Sequence, residues 1–576
     1  MDELVYSPSM HGELCRWASP HETTNGPEPL LERVLSARGL EGEDRAVYLD
    51  PVAADLHPAD ALPGVVAAAE RIEQALAGHE RIAIYGDYDV DGVTSMAMLM
   101  RLLAFMQPEA RLEAYVPHRL DEGYGLNATA LTALKDRGTD LVITVDCGVT
   151  AAAEIAHARE LGLDVIITDH HPLDGHEVPD VAAVVHPALP GSSYPWPILS
   201  GSAVAWKLLR VLATRHAGGK EMPTPLRRIV RDGLCLAGMG VIADVVPLVG
   251  ENRILAAKSL ALLPHCSIKG VAAMLLECVK PGEPLNSSTV GFRIGPRLNA
   301  AGRIGHAQEA FDLLMTDDDD EAKALARRLS AVNTSRQELA RQIETEAVAL
   351  AEASGQTGQG ACMIMLANES WHPGVVGIVC SRLVERFDRP TILLGSTDGG
   401  VLRGSARSIQ GYPINEALAA CQSHFTSAGG HAMAAGMSLT TDMFDQAQAA
   451  MLAHAQASLT PSDLVRTLMI DCEIQSDDLT LTAARSLSRM EPFGRGNEAP
   501  SLLLRGVRVD DAKVMGKGSQ HLALQFGGVR GPWFGQGHRI DSIPRGACID
   551  VVGQLQINRW RGRESVEFLI RDLRRH

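Results

Sequence analysis

The chain of 576 residues is 46% hydrophobic and 21% charged, which predicts a globular protein of about three or four domains. Its net charge of −17 argues against a protein that coats nucleic acid indiscriminately, although a local basic channel is compatible with it. The sequence has no run of about 18 apolar residues and no signal-peptide pattern, and its ten cysteines include no C-x-x-C pair. We therefore expect a cytoplasmic protein with reduced thiols.

The first recognisable unit, from about residue 80 to 190, repeats a strand, a turn and a helix. The segments "RIAIYG", "RLEAYVP", "LVITVDCG" and "DVIITDHH" have the apolar character of strands. Helical segments of 10–15 residues separate them, and one of these has Asn127 as its predicted N-cap and Gly138 just past its end. This alternation predicts a parallel sheet covered on both faces, with ligands at the carboxyl ends of the strands.

Three further regions follow along the chain. Residues 316–354 form one long polar helical pattern with the acidic run Asp317–Asp320 at its start, which predicts a linking helix whose dipole favours the acids. A second α/β unit begins near residue 360. Residues 465–576 contain short alternating strands and predict a small β-barrel. Within it, residues 501–576 hold 13 Lys+Arg and 7 Asp+Glu, a net +6, so this region is where we expect a polyanionic partner.

Acidic clusters follow the apolar strands of the first unit. The side chains at these positions are Asp87, Asp89, Asp91, Asp146, Asp169, His170 and His171, and Asp244, which follows another short apolar run in "GMGVIADVVPL", is a further candidate. Because the carboxyl ends of parallel strands share one edge, these carboxylates must converge, and cations are needed to neutralise them. Oxygen ligands with an imidazole suit Mn²⁺ or Mg²⁺ better than Zn²⁺, and two such ions can direct water onto a phosphorus atom. The alternative is a set of turn aspartates and surface ion pairs.

The same segments carry a resemblance to a known family. "GDYDVDG", "VDCG", "TDHH" and "ADVVPL" resemble the successive motifs of the DHH phosphoesterase superfamily. Tyr85 stands where the wider superfamily usually has histidine, which argues against a small-molecule pyrophosphatase. The form "YGDYDVDGVTS" is instead similar to the RecJ branch of single-strand-specific 5′→3′ DNA exonucleases. "VPHRLDEGYGL", "GFRIGPRLNAAGRI", "SWHPGVVGIVCSRL", "GSARS", "GGHAMAAGM" and "PFGRGNEAP" extend this resemblance from about residue 80 to 500.

The resemblance implies an α/β protein with a parallel-sheet DHH domain, a long linking helix, a second α/β (DHHA1) domain and a C-terminal OB-like β-barrel. The expected boundaries are an N-terminal extension at 1–65, the DHH domain at 66–315, the linking helix at 316–355, the DHHA1 domain at 356–460 and the OB-fold nucleic-acid-binding domain at 461–576.

The resemblance also assigns roles to the acidic residues. The implied metal ligands are Asp89, Asp91, Asp146, His170 and Asp244. Asp146 is the implied bridge between two ions, and Asp87 is either a ligand or a supporting group. Asp169 would orient a histidine, and His171 would contact the scissile phosphate or position a ligand. Water would be the nucleophile, with no covalent enzyme intermediate.

Other motifs offer groups that bind phosphate. Their candidate residues are Arg119, Arg297, Asn299, Arg303, Ser405, Arg407, Gly429, Gly430 and His431. The guanidinium groups suit phosphate oxygens, and glycines let peptide N–H groups approach an anion. Ser405 and Arg407 precede a predicted helix, and with Arg119 they form our hypothetical 5′-phosphate pocket. Taken singly, an arginine here is as readily an ordinary ion pair, and the glycine pair is more often a turn.

In the predicted barrel, Lys513, Arg559, Trp560 and Arg561 are the candidates for binding a single strand by charge and stacking. The alternative for the barrel aromatics is that they fill its core.

Together these features predict a single-stranded-DNA-specific 5′→3′ exonuclease that releases 5′ mononucleotides and acts in DNA recombination and repair. It would use two Mn²⁺ or Mg²⁺ ions and bind single-stranded DNA with a 5′ end. We expect a monomer without membrane contact, with single-strand-binding protein and a helicase as partners. Two alternatives stay open: a DHH phosphodiesterase of short oligonucleotides or cyclic dinucleotides, and a degenerate DHH scaffold that only binds DNA ends.

Overall fold

The computed structural model describes residues 10–19, 28–119, 122–173, 175–397 and 400–576. Residues 1–9 and 20–27 of the expected N-terminal extension therefore lie outside the described residues.

The first domain is built on a five-stranded parallel sheet. In spatial order its strands are Arg111–Tyr115, Arg81–Gly86, Leu141–Val145, Asp164–Thr168 and Ala183–Val185. The three central strands are almost wholly buried because helices cover both faces. One face is covered by Val65–Ala77, Val90–Met106, Gly201–His216 and Thr224–Ala243, and the other by Ala128–Asp136 and Ala152–Glu160.

Two local predictions for this domain are confirmed. Asn127 caps the helix Ala128–Asp136 by accepting the Ala130 N–H at 2.7 Å, and Gly138 follows with a φ of +84°. The domain continues with the helices Gly250–Leu262, Lys269–Cys278, Ser287–Thr289, Gly295–Ile304 and Gln308–Met315, with a π-helical turn at Val290–Ile294.

The linking helix runs from Asp319 to Ala353. Asp318 caps it by accepting the N–H groups of Asp320 and Glu321 at 2.9 and 2.8 Å, which is the structural role expected for the acidic run. The buried side chains of its first half belong to the core of the first domain, and those of its second half pack against the second domain. The helix therefore fixes the two domains to one another.

The second domain has a mixed five-stranded sheet. In spatial order its strands are Ser427–His431, Ala434–Thr440, Val401–Arg407, Thr391–Thr397 and Ile364–Asn368. Its helices are Pro373–Phe387, Ile414–Ala420 and Phe444–Ser458. Ser405 and Arg407 lie on the strand Val401–Arg407, and the helix expected after them begins at Ile414. The pair Gly429–Gly430 belongs to the edge strand of the sheet, where it pairs with Ala434–Thr440, rather than to a turn.

The third domain is a seven-stranded, mainly antiparallel OB-like sheet. In spatial order its strands are Cys472–Ile474, Leu502–Arg508, Cys548–Trp560, Arg563–Arg575, Val529–Trp533, His521–Phe526 and Asp511–Met515. The short helix Leu481–Leu487 packs on it. Phe526, Trp533 and Phe568 fill the core, so part of its aromatic content is structural.

The N-terminal segment is built into the third domain, which the sequence did not indicate. The strands Met10–His11 and Arg16–Ala18 form a small sheet with Thr467–Met469, and the helix Leu30–Ala37 inserts four buried side chains into the core of the third domain. The helix Gly42–Leu49 follows.

A buried arginine joins the third domain to the first. Arg253, on the helix Gly250–Leu262, donates to the carbonyl oxygens of Met490 and Glu491 at 3.0 Å and to that of Tyr48 at 3.0 Å. Nearby, the Leu248 N–H donates to the carbonyl of Arg495 at 2.7 Å, within the "PFGRGNEAP" motif. This motif therefore connects the two domains through hydrogen bonds.

All ten cysteines are free thiols. Among the described residues, no single helix has the length and apolar character needed to cross a membrane. Two consecutive helical segments, Gly250–His265 and Lys269–Cys278, together have that length and apolar character, but the chain bends by 92° between them.

Candidate active site

The strand ends of the first domain bring one histidine and several carboxylates together. The Nε2 atom of His170 lies 3.1 Å from Asp146 Oδ1, 3.7 Å from Asp244 Oδ2 and 3.9 Å from Asp91 Oδ2. Asp87, Asp89 and Asp146 form an overlapping group whose ligand atoms lie within 4.8 Å of one another. We call this set the acidic centre; its members are Asp87, Asp89, Asp91, Asp146, His170 and Asp244.

Several polar atoms of the acidic centre have no hydrogen-bond partner. Asp87 Oδ1, Asp146 Oδ1 and His170 Nε2 are buried and unpartnered, although buried polar atoms normally find a partner. Lone pairs that converge without an intervening hydrogen are suited to a cation. The donor set of carboxylate oxygens and one imidazole fits Mn²⁺ or Mg²⁺, and Asp146 is common to two of the groups.

The local chain geometry explains how these acids are placed. Asp89 is the N-cap of the helix Val90–Met106 and accepts the N–H groups of Asp91 and Gly92 at 2.9 and 3.2 Å. Asp91 in turn accepts two N–H groups from the start of the helix Gly201–His216. A Cβ atom on Gly201 would lie 2.5 Å from Asp146 Oδ1, so the start of this helix can lie this close to Asp146 only because residue 201 is glycine.

The backbone of Asp146 itself is unusual, with a φ of +63°. Non-glycine residues seldom adopt this left-handed conformation, and they do so mainly where the surrounding structure imposes it. It turns the chain directly after the strand Leu141–Val145, and it places the carboxylate against His170.

Burial and mutual repulsion disfavour the charged forms of these acids in the absence of cations. Burial, together with the charge of Asp89, raises the pKa of Asp87 to about 8. Burial and the neighbouring carboxylates also raise the pKa values of Asp89, Asp146 and Asp244. Burial and the charge of His171 lower the pKa of His170 to about 4, which leaves its imidazole neutral and able to ligate a metal.

Asp169 has a different environment, since its carboxylate is saturated with donors. It accepts the N–H groups of Val149, His170 and His171 at 2.7–3.1 Å, and His171 Nδ1 lies 2.7 Å from its Oδ1. Burial alone would raise the pKa of Asp169, but its bonds and the charge of His171 lower it to about 2. Despite burial, the same pair raises the pKa of His171 to about 9. Asp169 thus holds a cationic His171 beside the acidic centre.

Tyr124 also lies beside His171 and Asp146, and the sequence analysis did not identify it as a site residue. Its hydroxyl lies 3.2 Å from the Asp146 carbonyl oxygen and 3.1 Å from His171 Nδ1, while half of the residue is exposed. The quoted motif "EGYGL" contained it, but nothing in one sequence distinguishes this tyrosine from a core aromatic.

Next to the acidic centre lies a cluster of like positive charges, which we call the arginine pocket. Its members are Arg119, Arg303, Arg336 and Arg407. Burial and the other three guanidinium groups lower the pKa of Arg303 to about 9. Arg119 lies over the ring of Tyr88 at 4.7 Å, and its charge partly offsets the raised pKa of Asp87. The two charge clusters are therefore neighbours.

The second domain closes the arginine pocket through the helix Pro373–Phe387. Arg303 donates to the carbonyl of Gly374 at 3.3 Å, in the first turn of this helix. One turn later, a Cβ atom on Gly377 would lie 3.0 Å from Ser405 Oγ and 3.4 Å from Arg407 Nη2. The helix start, which favours anions, thus joins Arg303 to Ser405 and Arg407.

Two predicted phosphate ligands have structural partners instead. Arg297 donates to Ser330 Oγ at 3.1 Å and to the Arg293 carbonyl at 2.7 Å, so it ties its helix to the linking helix. The side-chain oxygen of Asn299 accepts the Val90 N–H at 2.9 Å and supports the start of the helix that bears Asp91.

The exposed edge strand of the second domain presents Gly429, Gly430 and His431 to solvent. In the third domain, Trp560 is 68% exposed at the tip of the hairpin formed by the two longest strands, with Arg561 5.6 Å from its ring. Arg559 is paired with Glu564 at 2.9 Å and Lys513 with Asp511 at 2.8 Å, so these cations are partly neutralised.

Arg336 is the member of the arginine pocket that the sequence analysis missed. It lies on the linking helix, 8% exposed, with its Nε bonded to Asn333. It belongs to no quoted motif, and the pattern of its helix is typical of a polar linker, so only the packed structure identifies it.

Comparison with known proteins agrees with this architecture. Three family profiles match the chain: the DHH family N-terminal domain at residues 81–237, the DHHA1 domain at 358–457 and the RecJ OB domain at 470–572. The fold and the acidic centre thus define a protein of the DHH class with both accessory domains.

The individual relatives identify the family within this class. The single-stranded-DNA-specific exonuclease RecJ of Bacillus subtilis is 38% identical over 551 residues, covering 94% of this chain and 68% of that protein. The crystal structure of RecJ from Thermus thermophilus with Mn²⁺ matches with a TM-score of 0.80 at 34% identity, covering 94% of this chain and 75% of that one. The same protein with Mg²⁺ gives a TM-score of 0.74 at 32% identity, over 94% and 74% of the two chains. The chain belongs to the RecJ family, which confirms the fold class expected from its sequence.

Proposed function

We propose that this protein is a metal-dependent, single-stranded-DNA-specific 5′→3′ exonuclease that releases 5′ mononucleotides. Family membership supports this activity, since the relatives are named single-stranded-DNA-specific exonucleases. The observation that carries it is that the arginine pocket lies beside the acidic centre, close enough for the charge of Arg119 to oppose the raised pKa of Asp87. One cluster needs cations and the other needs an anion, and a phosphodiester at a strand terminus with its metal ions satisfies both.

The acidic centre would hold two divalent cations, Mn²⁺ or Mg²⁺, the ions present in the Thermus thermophilus structures. Asp89, Asp91, Asp146, His170 and Asp244 are the proposed ligands, with Asp146 shared. Bound there, the ions would supply activation of water and neutralisation of phosphate charge. Asp87 is buried beside them and would act as a further ligand or as a proton acceptor close to the attacking water.

His171 is the chain's own positive charge at the reacting phosphate. Its pKa of about 9 keeps it cationic at neutral pH, and Asp169 fixes the ring orientation through Nδ1. We propose that its other nitrogen donates to the scissile phosphate. The Tyr124 hydroxyl, 3.1 Å from the same Nδ1 atom, further limits the movement of this ring.

The arginine pocket would select the 5′ end. A terminal phosphate carries more charge than an internal diester, so buried guanidinium groups favour it. Arg119, Arg303 and Arg407, with the hydroxyl of Ser405 and the helix start at Gly374, are the proposed contacts. Because this pocket adjoins the acidic centre, a strand held by its 5′ phosphate presents its first diester to the metal ions.

The third domain would bind the strand further from its 5′ end. Trp560 is exposed and flanked by Arg561, an arrangement suited to stacking a base beside a phosphate. Gly429, Gly430 and His431 on the second domain are further candidate contacts. Lys513 and Arg559 would contribute less, because each already has a carboxylate partner.

We also propose the biological setting expected from the sequence. A single-strand-specific enzyme needs separated strands, so a helicase and single-strand-binding protein are proposed partners in recombination and repair. The protein would act as a cytoplasmic monomer.

The test is digestion of one oligonucleotide in Mn²⁺, offered as a single strand and as a blunt duplex, with label at either end. We expect rapid release of 5′ mononucleotides from the single strand only. Release from the 3′ end, or digestion of the duplex at a similar rate, would contradict the proposal. Cleavage of dinucleotides without digestion of the long strand would assign the short-substrate phosphodiesterase instead.

A further inference from the structure

A second group of metal-ligating side chains lies in the first domain, apart from the acidic centre. Cys235 is fully buried within the helix Thr224–Ala243, and Asp232 lies one turn before it. Cys266 is half-buried in the connection that follows the helix Gly250–Leu262. The two sulfur atoms and one carboxylate oxygen of Asp232 all lie within 4.8 Å of one another.

This spacing suits tetrahedral coordination by sulfur. Zn–S bonds of about 2.3 Å place two thiolates about 3.8 Å apart, which is within the separation seen here. Thiolates select soft cations, whereas the acidic centre, with carboxylates and imidazole, suits hard ones. We propose that Asp232, Cys235 and Cys266 bind a thiophilic divalent cation of the Zn²⁺ class.

The charges around the site balance such an ion. Two thiolates and a carboxylate carry three negative charges, of which the cation neutralises two. Arg231 lies 3.3 Å from an oxygen of Asp232 and Arg228 lies 4.0 Å from the other, and these guanidinium groups face the remaining charge. Binding releases one proton from each thiol, so no oxidant or reductant is required.

The carboxylate is already oriented, and the site has an approach from solvent. The backbone N–H of Ser267 donates to Asp232 at 3.2 Å, and the Ser267 hydroxyl donates to its other oxygen. Asp232 and Ser267 also line a surface cavity of about 710 Å³. The carboxylate end of the cluster therefore borders this cavity, and water would fill the fourth position of a bound ion.

The consequence is a cross-link behind the acidic centre. The helix that bears Asp232 and Cys235 ends at Ala243, immediately before Asp244, and Cys266 belongs to a separate segment. An ion held between them would pin this helix to its neighbour and stabilise the folded protein. The inference does not depend on the nuclease activity.

The experiment is a Cd²⁺ titration of the reduced full-length protein in saturating Mn²⁺, which occupies the acidic centre without competing for thiolates. The readout is the ultraviolet thiolate-to-cadmium charge-transfer band. We expect the band to saturate at one Cd²⁺ per chain, and a large excess of Zn²⁺ to reduce it by competition. Cys266→Ser should lose the band, while Cys278→Ser, a buried thiol outside the cluster, should keep it. Asp232→Asn should weaken binding by about tenfold or more.

A second measurement uses the wild-type protein alone, so it does not rely on a variant that folds. Cd²⁺ should protect Cys266, the half-buried thiol of the cluster, from a thiol-specific reagent. The proposal is overturned if the reduced protein shows no band, or if the band persists in Cys266→Ser. It is equally overturned if the protein isolated without reductant lacks two titratable thiols, since the pair would then be a disulfide.

Discussion

The acidic centre and the arginine pocket are neighbours with opposite charge and the same physical problem. Each gathers like charges in a buried site, and the opposite charges that the chain supplies offset them only in part. In the acidic centre this raises the carboxyl pKa values, and in the arginine pocket it lowers that of Arg303. Such groups are costly in the free protein and become favourable when the missing counter-ions bind.

The two sites differ in how the chain assembles them. Most of the acidic centre stands at strand ends of one parallel sheet, so the topology of one domain brings it together. The arginine pocket draws Arg119 from the first domain, Arg336 from the linking helix and Arg407 from the second domain. The metal site is therefore a property of one domain, whereas the anion site depends on the docking of two. Four predictions test this contrast.

The largest effect is expected for Asp146→Ala. Loss of the shared carboxylate should slow digestion by about 1,000-fold or more, because metal ions stabilise the transition state by several kcal/mol. The metal-free variant should nevertheless melt at a higher temperature than the wild type, since one crowded carboxylate is gone. Rate assays and thermal melts check the two effects. Asp317→Ala, an exposed acid just before the linking helix, serves as the control. A rate within tenfold of the wild type would rule out Asp146 as the shared ligand.

The next effect is expected at the arginine pocket. Arg303→Gln should raise the KM for 5′-phosphorylated strands by about 10- to 100-fold, because hydrogen bonds to charged groups contribute about 1.5–3 kcal/mol. The KM for 5′-hydroxyl strands should change little, and Arg407→Ala should erode the same preference. Arg297→Gln on the same helix is the matched control, because it faces Ser330. An equal loss on both kinds of strand would assign Arg303 to general strand binding.

A smaller effect is expected for the uncharged contact at the hairpin tip. Trp560→Ala should weaken binding of a long single strand by about tenfold, the loss typical of one stacked base. Unlike Arg303→Gln, it should affect 5′-phosphate and 5′-hydroxyl strands equally. Equilibrium binding without hydrolysis, in Ca²⁺, measures this, and Phe292→Ala tests another exposed aromatic on the first domain. Unchanged affinity would place the strand elsewhere on the third domain.

The smallest effect concerns pH and the metal-free protein. The pKa values of Asp87 and His171 are raised to about 8 and about 9, so the folded chain retains protons that the unfolded chain releases. Stability from both groups is therefore lost as pH rises from 6.5 to 8. The lowered pKa of His170, about 4, acts only below this window.

We expect the melting temperature in chelator to fall by a few degrees across that window. Saturating Mn²⁺ should remove the fall, because cations replace the protons. A metal-free melting temperature that rises from pH 6.5 to 8 would show that repulsion in the acidic centre is relieved in another way.

The sequence predicted the acidic centre because its evidence is local. Asp87, Asp89 and Asp91 are adjacent in the chain, and strand-end acids converge in any parallel sheet. It could not predict that Asp169 is saturated by donors, or that Asp146 has a left-handed backbone, since both depend on loop geometry. The sequence also placed Arg297 in a phosphate site, and a motif alone does not show that this side chain bonds to Ser330 and to the Arg293 carbonyl.

Long-range packing was the other limit. The helix Leu30–Ala37 belongs to the core of the third domain, more than 400 residues away in the chain, and no periodicity reports such a partner. Arg336 was hidden for the same reason, because its neighbours come from other segments. The sequence placed Ser405 and Arg407 before a helix, but it did not show that they lie on the strand Val401–Arg407, with a six-residue connection before the helix at Ile414.

The connection between the first and third domains, formed by Arg253 and by Leu248, has a mechanical consequence. Leu248, which is bonded to Arg495 of the third domain, stands four residues beyond Asp244 on a short connection. A force on a DNA strand bound by the third domain would therefore act, through this connection, on the backbone next to Asp244, a proposed metal ligand. If binding of the strand by the third domain changes the affinity of the acidic centre for its ions, binding of the ions must change the affinity for the strand by the same factor.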